Sequence, residues 1–282
     1  MRNIIDAIIE VVKAPQYKLK EYSVSHNRAN QMGYALEDYV KDLFAGTVGE
    51  TDLKRRNLKI SETFSYVGNQ NNPPDCMLKM GGDAIEIKKI ESPNSTLPLN
   101  SSYPKAKLYS DSKMITKECK NCETWTVRDM IYIVGVLNGD ELKSLALVYG
   151  CDYCAEKEIY ERIKNTMKTG VESIQGVEFA DTKELGRINR VDPLGITSLR
   201  VRGMWLIENP FVVFKYLYQR DNNKAFNLMA IINEEKLNAL GNFELLEKLA
   251  YEKDNLNILD TQIKNPNNPA VLHNVKLITY TI

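Results

Sequence analysis

Apolar residues recur at helical spacing in two places near the start of the chain. Ile4, Ile5, Ile8, Val11 and Val12 predict an amphipathic helix that stops near Pro15. Met32, Leu36, Tyr39, Val40, Leu43 and Phe44 form the stripe of a second helix, roughly Arg28 to Phe44, closed by Ala45-Gly46. Short apolar runs then predict strands: Phe64 to Gly68, two runs around Gly81-Gly82, and Met130 to Leu137 with Leu142 to Tyr149, joined through Asn138-Gly139. Ile159, Ile163 and Met167 mark a helix closed near Gly170, and Leu199 to Trp205 reads as a strand. Beyond it the pattern predicts a helix at Pro210 to Tyr218, a strand at Phe226 to Ile232, a helix from Glu234 to Leu249 and a strand from Val271 to Thr281. Strands and helices alternate enough for a mixed α/β protein, and no linker divides residues 1–282, so one domain is expected.

The segment Pro73 to Lys88 combines a hairpin pattern with reactive side chains. A turn at Gly81-Gly82 pairs Leu78 with Ile85, Met77 with Glu86 and Asp75 with Lys88. Alternation then puts Asp75, Glu86 and Lys88 on one face, and Cys76, Leu78, Ile85 and Ile87 on a core face. A slip of one residue would scatter the charged groups. Two neighbouring carboxylates repel unless a cation lies between them, and hard oxygen ligands suit Mg²⁺. Such an ion activates water and polarises a phosphoryl oxygen, with Lys88 orienting the water or stabilising developing charge. The alternative is a solvated, salt-bridged hairpin face, since charged residues make up 26% of the chain.

Composition narrows the chemistry. Histidine occurs only at 26 and 273, which removes zincin helices and histidine-cluster nucleases and favours carboxylates and lysine. Basic and acidic residues balance at 37 each, so bulk charge announces no polyanion partner, although a locally basic cleft remains compatible with DNA. Without a signal peptide or a spanning apolar run, and with five cysteines, the chain reads as soluble and cytoplasmic. Cys119/Cys122 and Cys151/Cys154 are two C-x-x-C pairs flanking the hairpin at Asn138-Gly139, a spacing that fits one structural Zn²⁺; a redox pair or unligated thiols are the alternatives. Cys76 is left to pack as a small hydrophobe.

Other polar groups are candidates for contacts. Asn100, Ser101, Ser102, Lys105 and Lys107 suit phosphate and base edges, and equally suit an exposed turn. Arg187 and Arg190 form a basic segment, and Arg200 and Arg202 alternate with apolar residues so that a strand projects both from one face. Arginine forks commonly read guanine, but an exposed strand face without that role is equally compatible. Glu37 and Lys41, by pattern, read first as an ordinary i,i+4 pair.

Several blocks together resemble the NgoPII-type family of type II restriction endonucleases. They are Asn27 to Gly33 with Leu36-Glu37, Gly68 to Asp75, Glu86 to Lys89, Leu99 to Lys105, Arg190 to Ile196 and Leu199 to Trp205, spanning most of residues 1 to 215 in the expected order. The resemblance implies a PD-(D/E)xK fold, a mixed central β-sheet flanked by helices, with a catalytic core at about 28–150 and recognition elements at about 185–220. It implies Mg²⁺-dependent cleavage of both strands of double-stranded DNA at GGCC, with Asp75 and Glu86 as metal ligands, Lys88 as catalytic lysine and Glu37 as an outer-shell carboxylate. A palindromic site implies a homodimer, and the system implies a companion DNA methyltransferase. It says nothing of zinc. Two rival readings share these residues: a structure-selective repair or recombination nuclease, and a non-catalytic zinc-containing DNA-binding protein.

Overall fold

The computed structural model describes residues 1–19, 28–69, 72–99, 102–182 and 184–282, with 28–30 and 69 as backbone only. His26, Asn100 and Ser101 lie outside the described residues. The chain opens with α1 (Ile4–Lys13), α2 (Arg28–Ala45) and α3 (Leu53–Thr63), then β1 (Phe64–Asn69), β2 (Asn72–Leu78) and β3 (Ala84–Ile90). A crossover with β4 (Leu97–Pro98), β5 (Lys107–Tyr109) and α4 (Lys117–Asn121) leads to β6 (Val127–Asn138) and β7 (Glu141–Tyr149). Next come α5 (Gly150–Tyr153), α6 (Lys157–Glu172), β8 (Glu178–Phe179), β9 (Gly186–Asn189), β10 (Leu199–Val201), β11 (Leu206–Ile207) and α7 (Pro210–Val213). β12 (Asn227–Asn233), α8 (Glu234–Leu240), α9 (Phe243–Glu252), β13 (Leu256–Asn265) and β14 (Asn268–Thr281) follow.

The main sheet is mixed and runs β1-β2-β3-β6-β7-β12-β14-β13, with β5 paired to β6 beside that path. β3–β6 and β7–β12 are parallel pairs, which require crossovers, and those crossovers supply the cover of one sheet face. There Leu97, Leu108, Tyr153, Phe211 and Phe214 pack with Met77, Met130, Tyr132 and Val148. On the other face Ile8, Leu36, Val40, Phe44 and Leu246, from α1, α2 and α9, pack with Ile85, Ile131, Leu147 and Leu228. Each such fully buried aliphatic side chain contributes roughly 1.5–3 kcal/mol. β8, β9 and β10 form a separate small sheet.

The two N-terminal helices match the periodic reading. α1 buries Ile4, Ile5, Ile8, Val11 and Val12, and a reciprocal Asn3–Asp6 capping box starts it. The predicted stripe of α2 is buried in full. Several elements differ from expectation. α3 buries only Arg56 and Thr63; it is anchored by the Arg56 guanidinium on Asp42 at 2.7 Å, a bond that leaves no apolar period. The helix predicted from Glu234 to Leu249 breaks at Gly241, where φ is +69°. The helix predicted at Pro210 to Tyr218 is regular only over Pro210–Val213, and the strand predicted over Leu199 to Trp205 is regular only over Leu199–Val201. Among the described residues no helix is long and apolar enough to cross a membrane.

Candidate active site

The β2–β3 hairpin forms as expected, one step out of place. The turn centres on Met80-Gly81, with φ of +58° and +84°, and the Gly82 amide donates to the Lys79 carbonyl at 3.2 Å. Positive φ at both central positions is the geometry that suits the twist of a hairpin, and Gly81 takes it without a side-chain clash. Met80 adopts it while its amide donates to Glu123 at 2.8 Å; Arg128 pairs with Glu123 at 2.5 Å and donates to the Gly82 carbonyl at 2.9 Å. With the turn moved, Cys76 faces Ile85 and Met77 faces Ala84, a register two residues away from the predicted one. A shift of two preserves every face, because side chains alternate with period two. Cys76, Leu78, Ile85 and Ile87 therefore still enter the core beneath the helices. On the edge side, a Cβ on Gly68 would lie 2.4 Å from the Pro74 carbonyl oxygen, so glycine lets β1 press against the strand bearing Asp75.

Asp75, Glu86, Lys88 and Glu37 form one electrostatic cluster. Lys88 Nζ lies 2.5 Å from Glu86 Oε1, while Glu86 Oε2 is buried with no hydrogen-bond partner among the described residues. The Ile87 amide donates to Asp75 Oδ2 at 2.5 Å. Burial, and then the Glu86 charge, hold the Asp75 carboxyl well above the usual carboxylate range, against the opposing pull of Lys88. Burial by itself lowers the Lys88 pKa, but the Glu86 and Asp75 carboxylates outweigh it and the ammonium titrates higher than usual. Glu37 is also raised, first by burial, with Lys41 and then Lys88 opposing. Glu37 thus pairs with Lys41 at 4.0 Å, as its helical spacing suggests, and also senses Glu86 and Lys88. An orphaned buried carboxylate oxygen beside a second, repelled carboxylate is a donor set suited to a hard cation.

The remaining candidates fall in two neighbouring places. A cleft of about 560 Å³ is lined by Lys105, Lys107, Lys113, Lys157, Lys164 and Lys168 and Ser102, interspersed with the carboxylates Asp111, Glu156, Glu161 and Glu184. Lys105 is only 8% exposed; its ammonium donates to Ser102 Oγ and to the Tyr103 carbonyl at 3.2 Å, and its own amide donates to the Tyr132 hydroxyl at 2.7 Å. Burial lowers its pKa to about 8, with Glu86 the largest opposing charge, so Lys105 links the cleft to the carboxylate cluster. Arg187 and Arg200 stand opposite each other on β9 and β10, and Arg200 and Arg202 both pair with Glu184. Arg190, at φ +49°, pairs with Glu178 at 3.7 Å. Glu184, Glu123 and Arg128 carry no periodic signal in the sequence, and their roles appear only through these contacts.

The four paired cysteines do not converge among the described residues, so the structural zinc expectation finds no support here. Cys119 packs under α4 with its thiol 3.5 Å from the Met77 sulfur, and Cys122 donates to the Cys119 carbonyl at 3.1 Å. Cys151 accepts from Asn233 at 3.4 Å beside β12, and Cys154 is buried near Tyr132. Among the described residues no three His, Cys, Asp or Glu side chains are grouped to hold a metal ion. Burial pushes the thiols of Cys119, Cys151 and Cys154 up to about 12, so they stay protonated packing groups. The hairpin between the pairs closes its own strands, but α4 sits against β1 whereas α5 sits against β6, β7 and β12.

The sequence profile of the NgoPII restriction endonuclease family matches residues 2–264. Over 281 residues the chain is 57% identical to the type II restriction enzyme NgoPII of Neisseria gonorrhoeae, covering 99% of each protein. No solved structure matches the chain.

Proposed function

The chain belongs to the NgoPII restriction endonuclease family and is a site-specific deoxyribonuclease, and from that premise we propose that it cuts both strands of duplex DNA at GGCC with Mg²⁺ as cofactor. In this reading the mixed sheet is a PD-(D/E)xK core at about residues 28–150, within one domain that carries its recognition elements at about 185–220. The observation that carries the reading is the buried Glu86 Oε2, without a hydrogen-bond partner among the described residues, within electrostatic reach of Asp75 and with Lys88 on the other Glu86 oxygen.

Asp75 and Glu86 would hold the ion, whose contribution is Lewis acidity toward a phosphoryl oxygen and neutralisation of the two carboxylates. Two protein carboxylates suit Mg²⁺, which dehydrates reluctantly and leaves room in its shell for water and phosphate. The Asp75 carboxylate is aimed by the Ile87 amide. Lys88 contributes a fixed positive charge that orients the attacking water and stabilises charge growing on the phosphoryl oxygens. Glu37, on α2, would accept hydrogen bonds from water held near the ion. Ser102, Lys105 and Lys107 contact the DNA backbone from the cleft. Arg187, Arg190, Arg200 and Arg202 face the bases and flanking phosphates. A palindromic site calls for a two-fold homodimer in which each subunit cuts one strand, and a companion methyltransferase in the same cytoplasm protects host sites.

Digestion of a plasmid of known sequence with Mg²⁺, followed by end-sequencing, tests the reading. Discrete fragments whose ends all map to GGCC, and no cleavage with chelator, are expected. Random ends, or cleavage confined to branched substrates, would overturn it.

A further inference from the structure

Glu184 occupies a position that its sequence context does not advertise. The Leu185 amide donates to the Val201 carbonyl at 3.1 Å, which sets Glu184 beside Arg200 and Arg202 at the edge of the small β8–β9–β10 sheet. One Glu184 oxygen accepts from Arg200 Nε at 3.0 Å; the other accepts from Arg200 Nη2 at 2.9 Å and lies 2.7 Å from Arg202 Nε. The Glu184 side chain is 14% exposed, whereas those of Arg200 and Arg202 are 55% and 60% exposed. The two guanidinium groups thus cover most of the carboxylate and remain exposed themselves.

The geometry of these contacts matters more than their number. Arg200 is gripped side-on, through Nε and Nη2, and Arg202 is ion-paired through Nε with the same carboxylate. The outer Nη1/Nη2 edge of Arg200 is left to meet a bidentate acceptor, such as the O6 and N7 of guanine. An arginine already held in one orientation loses less conformational freedom on binding than a free one. Glu184 also offsets the like-charge opposition of Arg187 and Arg200, which face each other across the strand pair. It lines the lysine cleft as well, so the arginine pair stands at the edge of the surface that Lys105 connects to Glu86.

We propose that Glu184 is a positioning residue for sequence recognition: its carboxylate presents the outer edge of Arg200, with Arg202 held beside it, to guanines of the target site. The inference rests on the reading of those two arginines as base readers. It gives Glu184 a function that a simple counter-ion, holding DNA away until it lets go, would not have.

The test compares E184A and the near-isosteric E184Q with wild type on a duplex containing GGCC and on one with a single substituted base pair. Loss of the carboxylate is expected to reduce the cognate-to-mismatch ratio of kcat/KM by roughly tenfold or more, the scale of one bidentate base contact. The loss should lie mainly in cognate KM. E184Q, whose amide oxygen still accepts one guanidinium, should keep part of the ratio, and its melting temperature checks the fold. A wild-type ratio in both variants overturns the inference, as does tighter binding of both duplexes with the ratio unchanged. R200A and R202A separate the two levels. If they lose discrimination while E184A keeps it, only the role of Glu184 falls; if they too keep it, the reading of the arginines falls first.

Discussion

The Ile87 amide donates to Asp75 Oδ2 at 2.5 Å, beyond the last ladder pairs joining their strands, Cys76 with Ile85 and Met77 with Ala84. With the ladder ended at those pairs, the Ile87 amide takes its acceptor from the Asp75 side chain. The bond aims a carboxylate at its neighbour Glu86 and holds it there. Repulsion between the two is thus built into the fold, with Lys88 as partial relief.

Removing Lys88 or Asp75 should abolish chemistry before it abolishes binding. For Lys88→Ala we expect cleavage in a single turnover to fall by about 10²–10³-fold, the typical loss for a group that stabilises transition-state charge. Asp75→Ala should lose at least as much. Gel-shift affinity for the cognate duplex without Mg²⁺ should change little, because neither residue lines the lysine cleft. Wild-type cleavage by either variant would withdraw the catalytic assignment.

The same repulsion gives a pH-dependent stability effect. Asp75 keeps its proton in the folded chain to a higher pH than in the unfolded chain. The unfolded state therefore binds fewer protons, and stability falls as pH rises from the ordinary carboxylate pKa of about 4 through the folded value. Asp75→Asn escapes this loss. Without metal it should be more stable than wild type at pH 8, by on the order of 1 kcal/mol, and no different at pH 4. Mg²⁺ should raise the melting temperature of wild type but not of the variant. A variant that melts below wild type at pH 8 would show that the carboxylate is stabilising as it stands.

What was legible beforehand was periodic. The stripes of α1 and α2 and the two faces of the β2–β3 hairpin follow from spacings of 3.6 and 2, and the hairpin faces hold despite the displaced turn because the displacement is even. Gly-Gly is the obvious site of positive φ in the pattern, whereas in the fold Met80 accepts it under the Glu123–Arg128 clamp. α3 went unseen because a buried arginine anchors it, and β13 because much of it is exposed and polar. The nearness of Glu37 to Lys88, and of Lys105 to Glu86, depends on crossovers and helix packing that no local pattern encodes.

Lys105 makes a second pH prediction, of opposite sense. Burial lowers its pKa to about 8, so from there up to its ordinary value the folded chain holds fewer protons than the unfolded one. Stability rises with pH across that window, and at pH 7 the folded state carries a buried charge at a cost. Lys105→Met should therefore be more stable than wild type at pH 7, with the advantage gone by about pH 10, near the ordinary lysine pKa. Its affinity for DNA should drop, since a phosphate is the partner that repays the charge. Wild-type affinity should weaken as pH rises through 8, and the variant's should not. Binding titrations at constant ionic strength from pH 7 to 9 check this; parallel pH profiles would remove Lys105 from the interface.

The cysteine pairs offer a clean metal test. Cys119 and Cys122 lie against β1 and β2, Cys151 and Cys154 against β6, β7 and β12, and burial keeps the thiols of Cys119, Cys151 and Cys154 protonated. A tetrahedral Zn²⁺ site needs four deprotonated sulfurs at about 2.3 Å from one point, which would require α4 and α5 to leave their packing. Protein purified under reducing conditions without chelator should therefore contain no stoichiometric zinc. Added EDTA should leave the melting temperature of the Mg²⁺-free protein where it was. Cys154→Ser should destabilise by roughly 1–3 kcal/mol through a buried hydroxyl, with Cys154→Ala milder than that if packing alone is at stake. One zinc per chain together with a chelator-induced fall in melting temperature would mean that the pairs do meet, and that α4 and α5 pack differently in the metal-bound protein.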